Sequence, residues 1–224
     1  MNVSTRHIIA AVCAVFALAG AMSAGPHLSP KPLPSEMPFI HRIQTDLGTR
    51  FASEAAAERA GYFRYTNEDE TGAISFTNLR WHSTDPAHPS QLWYDVHGRL
   101  LGADFSVPGP KSAGPPHLWG IDPRRWVHIG AHIHYVIRND DGKVVYGATS
   151  LKKFVAAGGD PAHPDARTLV ALGIVSSPAQ VEHVFEFPSE WDLIVWILPN
   201  PDGAFAWKNP LVHPSPGAGS MPGM

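Results

Sequence analysis

The chain has 224 residues, 44% hydrophobic and 17% charged, with a formal charge of −3. That length can bury the core of one domain or two small ones, and such a composition excludes a highly charged disordered chain and a coiled coil. The negative balance argues against a nucleic-acid binder, which normally carries a basic excess.

Residues 1–24 read as a secretory signal peptide. Arg6 and His7 precede an apolar run over residues 8–18, and the small residues Ala19, Ala21, Ser23 and Ala24 follow. A basic start, an apolar stretch and a small-x-small site are the elements of an export signal. Cleavage is expected between Ala21 and Ala24, giving a secreted or periplasmic protein. The single cysteine, Cys13, lies inside the apolar run. The exported chain would then have no disulfide and depend on its core, or on its core and a metal. The longest later apolar run, residues 193–198, has strand length and is far short of the ~20 residues of a bilayer span.

Residues 25–38 carry Pro26, Pro30, Pro32, Pro34 and Pro38 and read as an extended spacer. Residues 39–212 read as one globular β-rich domain. Residues 213–224, rich in Pro, Gly and Ser, read as a disordered tail. Inside the domain, Ser53 can cap a helix over 54–60 that ends at Gly61. Strands over 62–66 and 73–78 flank a polar turn. Strands over 92–96 and 99–107 flank His97-Gly98, a tight-hairpin signal. Strands over 126–138 and 143–146 flank Asn139-Asp140-Asp141-Gly142. Helices are predicted over 150–157 and 164–172, strands over 181–187 and 192–198, and a short strand near 204–207. Successive hairpins imply an α+β protein, mainly antiparallel β, sandwich or barrel-like, with two or three short helices.

The segment 126–138 carries the most chemistry. Val127, Ile129, Ala131, Ile133, Tyr135 and Ile137 alternate with His128, Gly130, His132 and His134. On a strand the apolar set faces the core and the three histidines share the other face. His132 and His134 stand ~7 Å apart along the strand, close enough for both imidazoles to converge on one ion at ~2.0–2.1 Å. His128 joins them only if a bulge at Gly130 bends the chain. Neutral imidazoles suit a divalent transition metal such as Zn, Cu, Fe or Ni. A further ligand must come from a neighbouring strand; His183 and Glu186 lead the candidates, with Glu182, Asp104 and His97 behind them. The competing expectation is a polar, solvated sheet face. The histidine pair has the spacing of a cupin motif, but Arg138 stands where that family has an acid and its second motif is missing, so the chain is not placed there.

Trp119 and Trp126 lie near the histidine strand and are candidates for walling a ligand groove. No Gly-x-Ser-x-Gly, phosphate-binding loop or dinucleotide fingerprint occurs, so catalysis is not assigned. The leading expectation is an exported metal-binding protein. The rivals are a non-enzymatic module that binds a small molecule or an envelope component, and a structural envelope protein without a ligand.

Overall fold

The computed structural model describes residues 28–82 and 84–219, so the expected signal peptide and its cleavage site lie outside the described residues. The fold is α+β, with two antiparallel sheets and a few short helices, and neither sheet closes into a barrel.

Helix α1 (Met37–Arg50) opens the described fold, where the sequence reading expects spacer and then no element. Pro38 occupies its first turn, where the missing N–H costs nothing. Phe39, Ile40, Ile43 and Leu47 form one apolar stripe, each at most 2% exposed. The prolines before it do not make a free spacer. Pro30 O accepts a hydrogen bond from Phe205 N at 3.1 Å. The fully buried Glu36 accepts from Leu33 N at 2.7 Å, from Asp122 N at 3.1 Å and from Arg125 Nε at 3.1 Å. Helix α2 (Glu54–Arg59) follows, close to the predicted helix.

The larger sheet has six strands in the order β1 (Phe63–Arg64), β2 (Ile74–Thr77), β3 (Gln91–Tyr94), β4 (Leu100–Pro108), β9 (Glu190–Trp196), β5 (Val127–Ile129). The smaller has the order β7 (Val144–Ser150), β6 (His132–Arg138), β8 (Val181–Phe187). Alternation gives the larger sheet two distinct faces. Ile74, Phe76, Leu92, Tyr94, Ala103, Phe105, Leu193 and Val195 pack against α1 in the main core. The opposite face presents Gln91, Asp104, Ser106, Glu190 and Asp192, as the cross-strand pairs Gln91↔Asp104, Ser106↔Asp192 and Pro108↔Glu190 require.

The smaller sheet covers that polar face. Ile133, Tyr135 and Ile137 point outward to α3 (Leu151–Ala156) and α4 (Ala166–Ala171), packing with Phe154 and Leu169. His132, His134 and Val136 point the other way, in register with Phe187, Phe185 and His183 of β8. Phe185, Phe187 and Val136 meet Tyr65 in the layer between the sheets. The last predicted strand, near 204–207, is instead a turn held on β9, with Trp196 Nε1 donating to Ala206 O at 2.6 Å. Residues 212–219 also pack: Val212 is buried, Ser215 N donates to Glu68 Oε1 at 2.8 Å and Gly219 N to Glu68 O at 3.0 Å.

Candidate functional site

The predicted strand 126–138 breaks at Gly130-Ala131. Its first part, β5, joins the larger sheet beside β9, and its second part, β6, centres the smaller one. The break separates the three histidines. His128 pairs across from Trp191, on the α1 side of the larger sheet, and lies 3.0 Å from Ser189 Oγ. His132 and His134 enter the layer between the sheets. Both faces of β6 are therefore covered, and His134 is only 6% exposed, so the solvated-face expectation fails for this strand.

The pair converges. His132 Nε2 and His134 Nε2 are 3.0 Å apart. His132 Nδ1 lies 2.8 Å from Gly130 O, and a carbonyl only accepts, so the His132 proton sits on Nδ1 and its Nε2 lone pair is bare. Burial pushes the pKa of His132 down, against the Gly130 carbonyl bond and the Glu190 charge. Burial and the neighbouring His132 push His134 well down. Both rings are thus neutral near pH 7, the form that ligates metals. His134 Nδ1 is buried without a hydrogen-bond partner.

Facing them, the larger sheet supplies three buried carboxyls: Asp104 at 6% exposure, Asp192 at 7% and Glu190 at 1%. Burial first, then Asp192 and Glu190, push the Asp104 pKa well up, while a Trp93 hydrogen bond opposes this. Asp192 is likewise pushed well up by burial and by Glu190, against a Ser106 hydrogen bond. One oxygen of each aspartate, Oδ1, is buried without a partner. Glu190 Oε2 accepts from His82 Nδ1 at 2.7 Å, which leaves His82 Nε2 buried and unpartnered.

Two rings connect the imidazole and carboxyl sides. The Tyr65 ring meets His134 edge-on at 4.9 Å, and its hydroxyl donates to Gln91, the cross-strand neighbour of Asp104. Phe187 lies 5.4 Å from His132, 5.1 Å from His134 and 5.6 Å from His82, ring centre to ring centre.

The other sequence candidates are elsewhere. His183 shares the inward phase of Phe185 and Phe187, but it sits at the exposed end of β8 and stacks on Phe63 at 4.4 Å. Glu186 pairs across from Ile133 and so faces α3 and α4, away from the histidine pair. Glu182 is ion-paired with Arg138 at 2.6 Å, and His97 is exposed in the β3–β4 turn. Trp126 is buried and Trp119 stacks on Phe39 at 5.0 Å; both pack the α1-side core rather than facing a groove beside the histidines.

Sequence reasoning missed His82, Asp192, Glu190 and Tyr65. The available signal was phase. Asp192 and Glu190 alternate with Leu193 and Trp191 on a strand otherwise apolar on both faces, a pattern of double burial rather than solvation.

Among the described residues, no three or more His, Cys, Asp or Glu side chains are grouped so as to hold a metal ion. No described helix is long and apolar enough to cross a membrane. No protein-family model, curated protein or solved structure matches the chain.

Proposed function

We propose that this is an exported protein that binds a divalent transition metal (Zn, Cu, Fe or Ni) through His132 and His134. The observation that carries the reading is the 3.0 Å approach of the two Nε2 atoms, with His132 Nδ1 tied to a backbone carbonyl. Two nitrogens that far apart, each bonded at ~2.0–2.1 Å to one ion, subtend about 94°, nearer the right angle of an octahedral or tetragonal site than the tetrahedral angle. A carbonyl on the far nitrogen is the usual second contact of a ligating histidine, because it sets the tautomer and the ring orientation. His132 is only half-buried, so the pair has a solvent-facing side for exchangeable ligands. Export rests on the basic, apolar and small-residue order of the first 24 residues.

The same contact supports a second reading. His134 Nε2–H can donate to the bare Nε2 of His132, making the pair a structural link within β6. Elemental analysis of tag-free protein, beside a His132→Ala/His134→Ala double variant, separates the two. The metal reading expects near-stoichiometric metal in the wild type and its loss in the variant. Absence of metal from both, with no rise in Tm on adding Zn²⁺, Cu²⁺, Fe²⁺ or Ni²⁺, leaves the structural link.

A further inference from the structure

We propose that the cavity between the end of α1, helix α2 and the β2–β3 loop binds an anionic sugar, a pyranose ring carrying a carboxylate or a phosphate. The inference goes beyond the metal reading and does not depend on it.

The cavity has a volume of about 390 Å³, within the roughly 300–1,000 Å³ of small-molecule sites. Its floor is aromatic. Phe51 and Tyr62 meet edge to face at 5.4 Å and belong to the α1-side core. Trp81 and His88 of the β2–β3 loop form one wall, stacked at 4.0 Å with their planes 17° apart. Ala56 and Ala60 line the α2 side. They stand four residues apart on one face, and their small side chains leave the space open.

The charge of the lining is one-sided. Arg50 and Arg59 line the cavity, and no carboxylate does. Arg50 is held in place: Asp46 accepts from its Nε at 2.8 Å and from its Nη2 at 2.6 Å, and Ala87 O also accepts from Nη2. Its Nη1 has no hydrogen-bond partner among the described residues. Arg59 is exposed, and its side chain has neither hydrogen bond nor ion pair among them. A guanidinium fork matches the paired oxygens of a carboxylate or phosphate.

His88 supplies the complementary polarity. Asp85 accepts from His88 Nδ1 at 2.7 Å and from Ala87 N at 2.9 Å, and His88 N donates to Asp85 O at 3.1 Å. With the Nδ1 proton held there, the neutral form of the ring offers Nε2 as an acceptor for a hydroxyl. The shape of this loop is local. The same sequence, Asp-Pro-Ala-His-Pro, recurs at 160–164 with the same three bonds, at 3.0, 3.0 and 3.1 Å. There the His163 side chain is 85% exposed and has no aromatic ring beside it among the described residues. Only the first copy is set against a tryptophan and two arginines. A pyranose with one anionic group matches all three features: apolar ring face to the aromatic side chains, hydroxyl to His88, anion to the arginines.

The test is calorimetric titration of the full chain with D-glucuronate, D-glucose 6-phosphate, D-glucose and benzoate, beside amide and indole NMR spectra of the wild type. Glucuronate or glucose 6-phosphate is expected to bind with a Kd of about 1 mM and to shift the Trp81 indole N–H signal; the tighter of the two names the anion. Arg59→Ala is expected to weaken that binding about 10-fold. Ala56→Leu, which fills the cavity, is expected to abolish it, and His163→Ala to leave it unchanged. Arg59 is exposed, so its variant keeps the fold, and the NMR shift needs no variant. No binding of either anionic sugar at tens of millimolar overturns the proposal. So does equal binding of D-glucose, which removes the need for the anion, or of benzoate, which removes the need for the hydroxyls. Binding that both Arg59→Ala and Ala56→Leu leave intact overturns the placement in this cavity.

Discussion

Asp104→Asn in the metal-free protein is expected to be stabilising, and increasingly so as pH rises. The Asp104 side chain is 6% exposed, and burial, Asp192 and Glu190 hold its folded pKa well above its ordinary 3.8. Below pH 3.8 the group is protonated in both states and contributes no pH dependence. Above it the unfolded chain ionises while the folded chain does not, so wild-type stability is lost as pH rises toward the folded pKa. Each pH unit in that window costs about 1.4 kcal/mol for one group. Asparagine exchanges no proton and escapes the loss. The advantage of the variant should therefore grow by up to about 1.4 kcal/mol per unit. Urea unfolding at pH 4.5, 6.0 and 7.5 with a chelator present measures it. A stability difference between variant and wild type that stays flat across these pH values would refute the account of Asp104 as a carboxyl protonated by its surroundings.

Four further outcomes are expected. The histidines act with the opposite sign: His132 and His134 have folded pKa values below their ordinary 6.5, so stability present above pH 6.5 is lost as pH falls, and His134→Gln should flatten that acid limb in the same unfolding series. Arg125→Met strands the fully buried Glu36 carboxylate and should cost about 3–5 kcal/mol in urea unfolding; a loss under about 1 kcal/mol would show that the contact does not anchor the start of α1. Gly102→Ala places a methyl 2.5 Å from the Trp93 ring and 2.8 Å from Val195 O, so a loss of about 1–3 kcal/mol with a changed near-ultraviolet tryptophan spectrum is expected. His128→Ala should leave metal stoichiometry unchanged, because His128 lies on the far side of the larger sheet; loss of metal would contradict that placement.

The local code of this chain was legible. Gly98 and Gly142 have positive φ in the turns between β3 and β4 and between β6 and β7, at the hairpins their sequences predict. The alternation of Ile133, Tyr135 and Ile137 with His132 and His134 identified the two faces of β6. The α+β class follows from such short-range signals, because turn chemistry and the period of two depend only on neighbouring residues. Helix α1 was legible as well, in the spacing of Phe39, Ile40, Ile43 and Leu47, but the preceding prolines masked it. Beyond Asp104, which the sequence already offers as a candidate, what surrounds the histidines was not legible. Whether a strand continues through Gly130 or changes sheets depends on what pairs with each half, here β9 and β8. The partners Asp104, Asp192, Glu190 and His82 come from three distant parts of the chain. Their meeting is a consequence of strand order and of one sheet covering the polar face of another. Periodicity assigns a residue to a face; only the packing of layers determines whether that face meets water or a second set of ionisable groups, and that difference sets the chemistry of the site.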